Sequence, residues 1–140
     1  MDTDTLHTLV SSAIWRAEQL EDRGLGSAAL AWAEVSQLEE QLAGVFPLTE
    51  PEGKIARRGA VRAALKAGDY ARAHMLVRRF TGEDGTPRAL KTALRGMLED
   101  DAGSLAGRYP YAAKRHRIEE ARDQAVFLRE AGPFGLAKVA

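Results

Sequence analysis

Apolar residues recur along most of the chain at intervals of three and four, the spacing that places side chains on one face of an α-helix. Stretches rich in glycine and proline interrupt this pattern and divide the chain into about six predicted helices, with no convincing strand. Two helices are predicted within residues 4–46, and four more at residues 54–67, 70–80, 87–106 and 111–131. The predicted fold class is therefore all-α, with the helices arranged in antiparallel hairpins.

Residues suited to helix ends stand at several of these boundaries. The side-chain acceptors in residues 2–4 can cap the first helix, and Ser27 can cap the second. Residues 47–51 begin and end with proline and mark a break. Thr86 followed by Pro87 is a good start signal for the fifth helix, because proline is favoured at the first helical position.

The clearest hairpin is predicted at residues 60–80, and its turn glycine has counterparts elsewhere. The glycines that end helices are Gly24, Gly68 and Gly132. Seven residues before these glycines stand Ala17, Val61 and Ala125, and four residues before them stand Leu20, Ala64 and Leu128. Five residues after the glycines stand Ala29, Ala73 and Ala137. The aromatics Tyr70 and Phe134 stand two residues after Gly68 and Gly132.

Small residues, a turn glycine, an aromatic and an alanine at these offsets resemble the tetratricopeptide repeat, chiefly over residues 56–80. The resemblance implies two antiparallel helices that pack closely through small side chains. The three glycines are 44 and 64 residues apart, whereas the period of the family is about 34. An irregular helical bundle containing a similar hairpin is the alternative.

Length and composition favour one cytoplasmic domain over residues 1–140. The absence of cysteine excludes disulfides, thiol catalysis and cysteine-based zinc sites. The N-terminus is acidic, unlike a signal peptide, and no apolar run approaches the roughly 18 residues of a membrane span. Arginine outnumbers lysine fifteen to five and alanine is abundant, which suggests a bacterial, GC-rich genome.

Charge is unevenly distributed although the net charge is zero. Residues 1–50 carry a net charge of −7, residues 51–97 carry +7, and residues 98–140 carry 0. The prediction is an acidic hairpin at 4–46, a basic hairpin at 54–80 and C-terminal helices at 87–131.

The basic hairpin supplies most of the predicted partner-binding residues. They are Arg57, Arg58, Arg62, Lys66, Arg72, Arg78 and Arg79. Arginine's planar guanidinium suits carboxylate and phosphate groups. Three interpretations remain open: these bases bind an acidic protein or peptide, they pair with the acidic hairpin of the same chain or of another copy in a homo-oligomer, or they bind nucleic acid.

Trp15 is the eighth predicted contact residue, because it lies off the main apolar face of the first helix. Tryptophan is enriched at binding hot spots, so an exposed Trp15 indicates a contact surface. The alternative is burial against an adjacent helix.

Catalytic motifs are absent from the sequence, and we expect neither enzymatic activity nor a cofactor. The best constellation for a metal is spaced at three and four in the sixth predicted helix and consists of His116, Glu119, Glu120 and Asp123. Interleaved arginines make a solvated, ion-paired helix face the alternative.

The function that the sequence predicts is a non-enzymatic interaction or scaffold module that binds a partner through the basic hairpin and does not bind membranes. A nucleic-acid-binding or regulatory protein is the first alternative. A helical-bundle metal-binding protein is a distant second.

Overall fold

The computed structural model describes residues 1–108, with side chains as far as residue 101. This part of the chain forms five α-helices and no strand: α1 (Thr3–Asp22), α2 (Ala28–Val45), α3 (Pro51–Lys66), α4 (Tyr70–Thr81) and α5 (Arg88–Arg108). The all-α prediction is confirmed. The sixth predicted helix and the constellation around His116 lie outside the described residues.

Two of the aligned glycines end helices by the same local geometry. Gly24 and Gly68 have positive φ angles of 67° and 76°, which glycine adopts without the steric cost that a Cβ imposes. After α3 the N–H of Asp69 donates to the Ala64 carbonyl, and that of Gly68 donates to the Leu65 carbonyl, both at 2.9 Å. This is a Schellman motif, and the chain after α1 repeats it, so the turn signal in the sequence has a direct structural cause.

The side chains that cap the N-termini of the helices agree only in part with those predicted from the sequence. Asp2 accepts a 2.8 Å hydrogen bond from the Thr5 N–H at the start of α1. Asp69 accepts a 3.0 Å bond from the Arg72 N–H and caps α4. The predicted cap by Ser27 is wrong, because Ser27 has helical backbone angles (φ −67°, ψ −10°) and its side chain bonds to no N–H of the first turn. A capping residue normally has non-helical backbone angles.

The starts of α3 and α5 differ from their predictions. Helix α3 begins at Pro51, three residues earlier than expected. Proline is tolerated there because the N–H that it lacks would have no hydrogen-bond partner within the helix at the first position. The Thr86 side chain does not open α5; it donates to the carbonyl oxygens of Phe80 and Glu83, 2.9 Å from each, and closes the loop after α4.

Helix α2 packs against α1 and α3, and α3 packs against α4. Alanine occupies many of the buried positions of α3, which allows its neighbours to approach closely. In the main core, large side chains of the other helices pack together with the small side chains of α3. These large residues include Leu42, Leu76, Val77, Phe80, Leu90 and Leu94. The predicted antiparallel helical packing is thus present, and membership of a repeat family stays a prediction.

The chain divides into a compact unit at Met1–Leu98 and a second at Glu99–Ala140. The prediction of one domain over residues 1–140 stays a prediction. Within residues 1–108, no helix combines the length and apolar character needed to cross a membrane.

Candidate partner-binding surface

Arg57 is placed in the interior, unlike the other predicted contact residues. It is 6% exposed. Its Nε donates to Glu83 Oε1 at 3.0 Å, and its Nη1 donates to the carbonyl oxygens of Gly53 (2.8 Å) and Phe46 (3.2 Å). The three hydrogen bonds that this buried guanidinium donates hold the α2–α3 loop close to the loop after α4. The geometry gives Arg57 a structural role.

Arg72 and Arg79 hold one carboxylate of α2 between them. The Nη2 atom of Arg72 lies 2.5 Å from Glu40 Oε1, and that of Arg79 lies 2.6 Å from Oε2. Arg72 Nε also donates to Ser36 Oγ (2.9 Å), whose hydroxyl donates to the Ala60 carbonyl (2.8 Å). This network joins α4, α2 and α3.

The two arginines decide the charge state of Glu40. Burial, the largest single influence, would raise the pKa of Glu40. The hydrogen bonds and positive charges of Arg72 and Arg79 together outweigh burial and lower that pKa below its ordinary value. Glu40 is therefore a carboxylate at neutral pH, and both arginines are engaged with it.

Lys66 also turns toward the acidic half of the chain. Its Nζ lies 3.7 Å from Glu21 Oε1 and 4.9 Å from the centre of the Trp32 ring, a cation–π distance. Lys66, Arg72 and Arg79 thus all pair with acids of α1 and α2, as the interpretation of pairing within one chain expects.

Three predicted contact residues keep free guanidinium groups. Arg58, Arg62 and Arg78 form no ion pair with any residue among 1–101. Arg62 and Arg78 are exposed and Arg58 is half-buried. Arg58 and Arg62 are one turn apart on the narrow solvent-facing side of α3, next to Ile55, which is 56% exposed. We call Ile55, Arg58, Arg62 and Lys66 the α3 basic stripe.

Glu39 borders this stripe and was not singled out in the sequence. It is 8% exposed, and a Cβ at Gly59 of α3 would lie 2.1 Å from its Oε2. Burial raises the pKa of Glu39 to about 7, against the opposing effect of the Arg62 charge. The signal that could have found it is Gly59, since a glycine inside a helix leaves room for a close neighbour.

Trp15 stands in solvent. The side chain is 65% exposed, so the alternative of burial against an adjacent helix is wrong. It lies on α1 opposite the buried residues Leu6, Val10, Ala13 and Ala17. The structure therefore separates Trp15, on α1, from the basic residues, which are on α3 and α4.

A cleft of about 420 Å³ opens between the C-terminal ends of α2 and α4. The guanidinium carbons of Arg57 and Arg79 lie 5.7 and 5.1 Å from the centre of the Phe80 ring. The cleft also contains the carboxylates of Glu40 and Glu83, which these arginines already bind. The arginines of the cleft are thus paired with carboxylates of the cleft itself, whereas Arg58 and Arg62 form no ion pair among residues 1–101.

No group of three or more His, Asp or Glu side chains suited to a metal ion occurs in the part of the chain whose side chains are described. The predicted site around His116 lies beyond that part.

Comparison of the chain with protein-family models, with curated proteins and with solved structures found no match.

Proposed function

We propose that this chain is a non-enzymatic interaction module, built from repeat-like helical hairpins, that binds an acidic protein or peptide through the α3 basic stripe. The observation that carries the proposal is that the exposed Arg62 and the half-buried Arg58 have no ion-pair partner in residues 1–101, where four of the other predicted contact bases have one. The cysteine-free, arginine-rich composition supports a bacterial, cytoplasmic setting for this activity.

The chemistry of the stripe matches an acidic partner with an apolar residue. Each guanidinium can donate two parallel hydrogen bonds to a carboxylate. Ile55 places an exposed apolar side chain one turn before Arg58. Helix α3 is buried on its other sides, so its backbone is already ordered and only the side chains of the stripe lose conformational entropy on binding.

A titration with a fluorescent poly-glutamate peptide tests the proposal. We expect binding at low ionic strength and weakening by about tenfold or more in the double variant Arg58→Glu and Arg62→Glu, because two attractive contacts become repulsive. The double variant Arg88→Glu and Arg95→Glu changes the net charge equally at exposed positions of α5 and serves as the matched control. Equal weakening in both variants would show a diffuse charge effect and contradict the proposal.

Single-stranded DNA of the same length is the second probe. A nucleic-acid-binding protein would bind it with an affinity that falls steeply as salt rises, because phosphate contacts release counterions. Binding of DNA with no binding of poly-glutamate would replace our proposal with this alternative.

A further inference from the structure

The solvent-facing side of α1 is an acidic face that contains one exposed aromatic residue. Asp4, Trp15, Glu18 and Asp22 follow one another at helical intervals on the side opposite the buried residues of α1, and all four are exposed. We call these four residues the α1 acidic face. None of its three carboxylates forms an ion pair with a residue among 1–101.

The spacing of this face matches that of the α3 basic stripe. On α1, carboxylates stand three and seven residues after the exposed Trp15, at Glu18 and Asp22. On α3, guanidinium groups stand three and seven residues after the exposed Ile55, at positions 58 and 62. At a rise of about 1.5 Å per residue, both charges lie about 4.5 and 10.5 Å along the helix from the apolar side chain.

From this match we infer that the partner of the α3 basic stripe is the α1 acidic face of a second copy of the chain. Parallel packing of the two helices places Trp15 on Ile55 and brings Glu18 to Arg58 and Asp22 to Arg62. The indole and the aliphatic side chain are removed from water at one end of the contact, and each guanidinium gains a carboxylate. The inference rests on the proposed function, because it uses the same stripe and names its occupant.

Within one chain, Glu21 near the end of α1 contacts Lys66 at the end of α3, so the C-terminal ends of the two helices are adjacent. A two-fold axis that runs along the helices leaves their direction unchanged. A parallel contact between α1 of one copy and α3 of the other can therefore form twice in one dimer, once from each copy.

A charge exchange between two variants tests the inference on the full chain by sedimentation velocity. The wild type is expected to self-associate at low salt and to dissociate as salt rises. The variant Glu18→Arg with Asp22→Arg and the variant Arg58→Glu with Arg62→Glu should each associate at least about tenfold more weakly than the wild type, because like charges then meet at the contact. An equimolar mixture of the two should associate again, since each now carries the charges that the other lacks.

Circular dichroism of both variants shows whether each is folded, and Arg88→Glu with Arg95→Glu controls for net charge. A wild type that stays monomeric at low salt would overturn the inference, as would variants that fail to associate when mixed. Poly-glutamate binding separates the two levels of proposal. A monomer that binds the peptide through Arg58 and Arg62 would leave the proposed function standing and exclude the second copy as partner. A monomer that does not bind the peptide would contradict both the proposed function and the inference.

Discussion

At the scale of single residues, Arg57 and Glu39 are two charged side chains in the interior with opposite environments. Arg57 donates to Glu83 and to two backbone carbonyls, so its charge is satisfied. Glu39 accepts no hydrogen bond from any residue among 1–101; only the Arg62 charge favours its ionised form, and it lies against Gly59. A buried charge without hydrogen bonds disfavours its own ionised form, which makes Glu39 the residue whose ionisation opposes folding.

We expect Glu39 to make stability fall as pH rises from about 4.5 to about 7. Its pKa is 4.5 without burial and about 7 in the folded protein, so within this range the folded chain binds more protons than the unfolded chain. The free energy of unfolding then decreases with pH, by up to about 3 kcal/mol at roughly 1.4 kcal/mol per pKa unit. Chemical denaturation of the wild type and of Glu39→Gln across this pH range measures the effect.

The difference between these two proteins isolates Glu39, because every other titrating group is common to both. Glu39→Gln should gain stability relative to the wild type as pH rises toward 7 and keep that gain above it. Two stability curves that run parallel across the range would show that Glu39 titrates normally in the folded chain.

At the scale of helices, a few ion pairs of unequal strength join neighbouring helices. The Glu40 carboxylate is three-quarters buried and is held by Arg72 and Arg79 of α4. The pair between Arg16 and Glu34 joins α1 to α2 with both side chains about half exposed. Solvent screens the second pair much more than the first.

Replacing Glu40 with alanine should therefore lower the free energy of unfolding by about 2 kcal/mol, because it leaves partly buried guanidinium donors without an acceptor. Glu34→Ala is the matched control and should cost less than about 0.5 kcal/mol, the usual range for an exposed pair. Urea denaturation of both variants at pH 7 gives the comparison. An equal loss of unfolding free energy in the two variants would contradict a special role for the ion pairs of Glu40 in joining α2 to α4.

The elements themselves were largely predictable from sequence, and the reasons are local. Gly24 and Gly68 end helices through positive φ angles, and Asp2 caps α1 with its own side chain; neither depends on the rest of the fold. Ser27 looked equally suitable as a cap, and only the path of the chain into α2 determines its backbone angles.

The environment of the charged residues could not be predicted in the same way. Periodicity assigns charges to the outer side of a helix, yet α3 is central and buries small residues over most of its circumference. On such a helix Arg57 is buried while its neighbour Arg58 reaches solvent, and the difference is set by Glu83 and by the α2–α3 loop. The exposure of Trp15 likewise depends on which helices pack against α1.

At the scale of the whole molecule, the opposite charges of residues 1–50 and 51–97 are only partly used within one copy. Glu21 and Glu40 of the first segment pair with bases of the second. Asp4, Glu18 and Asp22 of α1 do not, and neither do Arg58, Arg62 and Arg78, as far as residues 1–101 show. Internal pairing therefore uses only some of these charges and leaves opposite charges without ion pairs on α1 and α3, which is the arrangement that favours association between copies.

The compact unit Met1–Leu98 sets where the chain can be shortened without loss of its core. Leu90 and Leu94 of α5 are 3% and 0% exposed and belong to the same buried cluster as Phe80. A chain ending at Leu98 retains both leucines, and we expect it to unfold in one cooperative transition. A chain ending at Thr86 lacks both and should lose roughly 3–6 kcal/mol, at about 1.5–3 kcal/mol for each buried leucine side chain.

That loss is comparable to the whole stability of many small domains, so the shorter chain should be partly or fully unfolded at room temperature. Urea denaturation followed by circular dichroism and by the fluorescence of Trp32, which is buried, compares the two chains. Equal stability of the two would show that α5 is not part of the core of this unit. An unfolded chain ending at Leu98 would show instead that the unit needs residues beyond Leu98 to fold, because every buried side chain of the main cluster is still present in it.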